Sequence, residues 1–99
     1  MENLWKFKGE EMTTEQLRHL KTFVEHYGVY SQQIKTIEEC SELIKAICKC
    51  EDMNTIIDEI ADVEIMINQL KVMFDCFGEV EERIDFKIKR QLERMKKGE

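Results

Sequence analysis

No proline occurs in this 99-residue chain, and apolar side chains recur every three or four positions through most of it. Proline removes a backbone donor and breaks helix interiors. A proline-free chain patterned at the helical period is expected to be all-α. The spacing predicts a first helix over Thr14 to Tyr27, opened by a capping box from Thr13 and Gln16 and closed by Gly28. A second is predicted after Ser31 as N-cap, reaching Lys49 or Cys50. Its apolar face reads Ile34, Ile37, Cys40, Ser41, Ile44, Ile47 and Cys48.

Glu51, Asp52 and Asn54 read as a short polar connection to a third helix from Thr55 to Phe77, stopped by Gly78. That helix is apolar on most sides. Such helices are buried by several neighbours, which in so short a chain points to a second subunit. Phe74, Phe77 and Met73 are expected in the core or in that interface. A fourth helix is predicted from Val80 to Lys96, with an apolar seam of Val80, Ile84, Ile88, Leu92 and Met95 among dense charge. Short connections favour antiparallel neighbours, so residues 1–99 are expected to form one four-helix bundle-like domain completed by dimerisation. Residues 1–12 read as an aperiodic N-terminal arm in which Trp5 and Phe7 anchor the segment or line a pocket.

The formal net charge is −6. That disfavours a nucleic-acid polymer as partner, since such binders present a basic face. No apolar run approaches the ~20 residues that span a bilayer, and the charged N-terminus does not resemble a signal peptide, so a cytoplasmic protein without membrane contact is expected. Cys40, Cys48, Cys50 and Cys76 form no CxxC pair. They are read as reduced thiols, with Cys40 and Cys76 as small core residues.

Most acidic residues need no explanation beyond a solvated surface. The pairs Glu39/Glu42 and Glu59/Asp62 are different. Each is spaced i, i+3, which puts both side chains on one helix face. They flank the turn near residue 52, and in an antiparallel hairpin all four carboxylates would fall within about 9 Å along the axis at ~1.5 Å per residue. Bare carboxylates this close repel, and Glu59 and Asp62 interrupt the most apolar helix. Lys45 and Lys49 are the nearest cations along helix two. A hard divalent cation is the better counterion, and oxygen-only ligands suit Mg²⁺ or Mn²⁺. The carboxylate-bridged di-iron bundles need Glu-x-x-His. His19 and His26 lie on the first helix and supply no such motif.

At these residues the chain resembles the MazG-like nucleoside triphosphate pyrophosphohydrolases. Glu38-Glu39-Cys40-Ser41-Glu42-Leu43 is similar to their EExxEL segment, and Asp58-Glu59-Ile60-Ala61-Asp62-Val63 to their DEIADV segment. Gly28 and Gln32-Gln33 upstream are also similar, and the likeness covers residues 27 to 95. The resemblance implies Mg²⁺-dependent cleavage of a nucleoside triphosphate between the α and β phosphorus, by a homodimer or tetramer. It implies Glu39, Glu42, Glu59 and Asp62 as metal ligands. It also implies that Glu38 orients the attacking water or shares a second metal, with Glu39 in the same catalytic set.

A phosphate tail needs cations, and Lys87, Arg90 and Arg94 form one stripe on helix four. Related enzymes carry basic residues late in the chain; a stripe paired with Asp85 or Glu93 is the alternative. The resembled family tends to recognise the base with aromatic and amide side chains, which makes Trp5 and Gln33 candidates and Tyr30 a further one; ordinary packing is the alternative. Asn68 and Gln69, inside the apolar helix, are expected to make a buried interhelix hydrogen bond ahead of any substrate contact. Noncanonical or deoxy-pyrimidine triphosphates are the expected substrates, ahead of phosphoribosyl-ATP. The competing reading is a non-enzymatic helical adaptor, in which the acidic pairs are solvated surface.

Overall fold

The computed structural model describes residues 12–98, and among them it holds four helices and no strand: α1 (Thr14–Tyr27), α2 (Val29–Cys48), α3 (Met53–Phe74) and α4 (Phe77–Lys96). The chain is all-α, as its periodicity predicts. Trp5 and most of the N-terminal arm lie outside the described residues.

α1 has the predicted bounds because its signals are local. Thr13 Oγ1 accepts from the Gln16 amide at 3.1 Å, and Gln16 Oε1 accepts from the Thr13 amide at 2.9 Å. Gly28, at φ +93°, turns the chain within one residue. Its carbonyl already accepts from the Gln32 amide at 3.1 Å, so α2 starts at Val29 and Ser31 lies inside the helix rather than at its cap.

Non-glycine residues in the left-handed region close the next two helices. Cys50 sits at φ +53°, and the Glu51 amide donates back to the Ala46 carbonyl at 3.1 Å. Asp52 then caps α3, its Oδ1 accepting from the Thr55 amide at 2.9 Å, which holds the Asp52 carboxyl below its ordinary 3.8. The helix therefore opens at Met53, and Asn54 belongs to it rather than to the connection. α3 ends at Asp75, at φ +49°, with the Cys76 amide donating to the Lys71 carbonyl at 3.2 Å. Gly78, expected as the stop, lies in the first turn of α4. Aspartate tolerates the left-handed region well enough to take the position that glycine usually holds.

α2 and α3 pack along one another as a hairpin, and α1 lies mainly on α3. Leu20, Val24, Ala46 and Met66 are the buried apolar side chains, joined by Gln32, Thr36 and Gln69. The apolar face expected to anchor α2 instead points outward, with Ile37, Ile44 and Ile47 each more than half exposed. Phe74 is also exposed, while Met73 and Phe77 are half-buried. α4 makes only slight contact with the other helices and buries none of its residues. Among the described residues no helix is long and apolar enough to cross a membrane.

Candidate metal centre

The hairpin brings the predicted carboxylates together. One oxygen each from Glu39 on α2 and from Glu59 and Asp62 on α3 lie within 4.8 Å of one another. Glu39 and Glu59 are half-buried, and Asp62 is exposed. Glu42 stands beside this trio. With Glu59 it lines a groove of about 220 Å³ whose other walls are Lys45, Ala46, Lys49, Glu51 and Thr55.

Glu59 sits at the centre of this arrangement. Its Oε2 is buried and has no hydrogen-bond partner. Burial, then the charges of Asp62, Glu42, Glu39 and Asp58, raise its carboxyl above the ordinary 4.5. A buried acceptor without a donor is costly unless something electropositive meets it. The donor set is all oxygen, which suits Mg²⁺ or Mn²⁺. Ligand oxygens of one Mg²⁺ lie at most about 4 Å apart, so side-chain rotations would have to draw the trio inward to hold one. The residues present fit a hard divalent cation.

One cation already reaches the cluster. Lys35 Nζ lies 3.3 Å from Glu39 Oε1 and 3.6 Å from Glu38 Oε1. Its hydrogen bond to Glu39, reinforced by the charges of Glu38 and Glu39, raises the lysine above its ordinary 10.5. Lys35, rather than the expected Lys45 or Lys49, is the cation at the cluster, and its i, i+4 spacing to Glu39 is legible in the sequence. Glu38 is exposed beside the trio and is not one of its members.

The remaining candidates lie elsewhere. Gln33 is half-buried on α2 and does not line the groove. Lys87, Arg90 and Arg94 are exposed on α4, which contributes nothing to that groove within one chain. The ion pairs on α4 use other lysines, Lys89 with Asp85 at 2.9 Å and Lys96 with Glu93 at 3.5 Å, while Arg90 stacks over Phe86. Asn68 donates to the Glu64 carbonyl of its own helix, and Gln69 makes the expected buried interhelix bond, to Gln32. The four cysteines are free; Cys40 and Cys76 are half-buried rather than core.

Fold and site together give an all-α hairpin that gathers Glu39, Glu59 and Asp62 beside a groove of mixed charge. Comparison with protein-family models, with curated proteins and with solved structures finds no match to the chain.

Proposed function

We propose that the chain is a Mg²⁺-dependent hydrolase, with Mn²⁺ as a substitute, that converts a nucleoside or deoxynucleoside triphosphate to the monophosphate and pyrophosphate. The observation that carries this reading is the orphaned Oε2 of Glu59 amid the oxygens of Glu39 and Asp62. The two motif segments that resemble those of MazG-like enzymes support it. Glu39, Glu59 and Asp62 would hold the ion, with Glu42 beside them. When bound, the ion would neutralise phosphate charge and ease deprotonation of a water.

The chain's own residues do the rest by position and charge, which is most of what phosphoryl chemistry needs. Glu38 accepts a proton from the water that attacks the α phosphorus. The new bond joins that oxygen to the α phosphorus as its bond to the bridging oxygen breaks and pyrophosphate leaves. Lys45 and Lys49 face the groove and meet the phosphate tail. Lys87, Arg90 and Arg94 add to them in a homodimer or tetramer that carries α4 to the groove.

The test is pyrophosphate release from a panel of triphosphates, with Mg²⁺ and with EDTA. Release that requires the metal, on one or a few members, is expected. No release from any member at high enzyme concentration would overturn the reading. The open apolar seam of α4 favours a second reading, a non-enzymatic adaptor. It predicts no rise in melting temperature with Mg²⁺ and nucleotide.

A further inference from the structure

A single polar bond crosses between helices. Gln32 Nε2 donates to Gln69 Oε1 at 2.8 Å, and both amides are buried. Every other side-chain hydrogen bond and ion pair among the described residues stays within one helix or its cap. The seam around this bond offers the hairpin little else to hold by. Along α2, at spacings of four and three, it reads Gln32, Thr36, Glu39, Leu43 and Ala46. Along α3, followed backwards, it reads Gln69, Met66, Asp62, Glu59 and Thr55. Helices meet along such a seam, normally with apolar side chains. Here Leu43, Ala46 and Met66 are its apolar members, against the carboxylates of Glu39, Glu59 and Asp62.

The amide pair shares its register with those carboxylates. Glu39 lies seven residues after Gln32, and Asp62 lies seven before Gln69. Seven residues come within ~20° of two full turns, so each carboxylate stays on the face of its amide. Equal steps along antiparallel arms keep partners level, which sets Glu39 opposite Asp62 about 10 Å along the axis from the amides at ~1.5 Å per residue. Three residues further, Glu42 and Glu59 are level in the same way, and both line the groove. Oxygens of Glu39, Glu59 and Asp62 converge within 4.8 Å, and their like charges push the arms apart. The turn at Cys50 and its Asp52 cap hold the arms at one end. The amides hold them at the other, with the carboxylates between.

We propose that Gln32 and Gln69 are positioning residues, whose bond fixes the register of α2 against α3 so that Glu39, Glu59 and Asp62 present their oxygens to one cation. A buried amide that loses its partner keeps its desolvation cost, so a slip or splay of the arms is penalised at this level. A polar pair in a helix seam selects one register where apolar pairs accept several. That the carboxylates serve a cation rests on the proposed function; the register does not.

The test compares the full wild-type chain with Gln32→Leu/Gln69→Leu, titrated with Mn²⁺ alone and followed by electron paramagnetic resonance. Two apolar side chains replace two amides, so helical circular dichroism and melting temperature should stay close to wild type. Mn²⁺ should nevertheless bind at least about 10-fold more weakly, as metals do when the residues that orient their ligands are lost. A merely structural bond would move the melting temperature and leave that affinity alone. Nuclear Overhauser contacts between the Ala46 and Thr55 methyls, which share the register and line the groove, read the alignment with no ion present. One set is expected in the wild type, and weakened or additional sets in the double variant. A folded double variant with wild-type Mn²⁺ affinity, or with unchanged contacts, would overturn the inference. A wild type that binds no Mn²⁺ would remove the hydrolytic reading, and the contacts alone would then decide the register. Should the leucine variant lose its helices, Gln32→Met/Gln69→Met, whose side chains keep the length of glutamine, is judged by the same two readouts.

Discussion

Gln32 Nε2 donates to Gln69 Oε1 at 2.8 Å in the interior, tying α2 to α3 by a bond between two buried amides. The Gln69 amide in turn faces the Met66 sulfur at 3.5 Å. A buried amide without its partner keeps the full desolvation cost, so Gln69→Leu is expected to lower stability by about 1–3 kcal/mol. Gln32→Leu should do the same, and the double variant should lose less than the two losses added. Urea denaturation of the three variants measures this. Strict additivity would mean that the two amides do not depend on each other.

Lys35 competes with any cation for Glu39. Lys35→Gln removes a positive charge 3.3 Å from Glu39 Oε1, so if the trio holds a cation as proposed, Mg²⁺ should bind the nucleotide-free protein several-fold more tightly. Calorimetric titration with Mg²⁺ alone reads the change. Weaker binding would place Lys35 among the groups that organise the site.

Glu59→Gln keeps the shape and removes the charge. On the proposed reading, pyrophosphate release should fall at least about 100-fold, since the variant would hold the cation that neutralises phosphate charge less well. Glu39→Ala, Glu42→Ala and Asp62→Ala should also lose activity with helical content retained. Full turnover by Glu42→Ala and Asp62→Ala would remove these carboxylates from the chemistry.

Cys50 occupies the left-handed position after α2, where glycine carries no steric cost. Cys50→Gly should therefore raise stability by about 1 kcal/mol. A fall on thermal unfolding would show that the Cys50 side chain makes a contact worth more than its strain.

The parts of the fold legible in the sequence are those whose cause is local. α1 is bounded by a capping box and a glycine, and both operate as read. The carboxylate pairs could be placed because a short hairpin fixes axial distance on both arms. What escaped reading depended on alternatives to the usual residue. Asp75 rather than Gly78 ends α3, and Gly28 rather than Ser31 starts α2. The apolar pattern of α2 was visible, but periodicity identifies a face without saying what meets it. Within the chain, α2 instead buries Gln32, Thr36 and Ala46.

The pH dependence of stability isolates Glu59. Its carboxyl is raised above 4.5 in the fold, by burial first and then by its acidic neighbours, so the folded chain binds that proton more tightly than the unfolded chain does. The resulting contribution to stability is fully present below pH 4.5 and is lost as pH rises through the raised folded value. In EDTA, the wild type should therefore lose stability upward from pH 4.5 more steeply than Glu59→Gln, which has no proton to release. Mg²⁺ acts in the opposite sense, because it competes with the proton for the same oxygens. The rise in melting temperature that it produces should grow with pH across the same window and should be absent in Glu59→Gln. Melting curves of both proteins, from pH 4.5 to neutrality with EDTA and with Mg²⁺, measure both slopes. Parallel slopes for wild type and variant in EDTA would show that Glu59 carries no raised proton affinity. An Mg²⁺ effect that survives in Glu59→Gln would move the cation to other ligands.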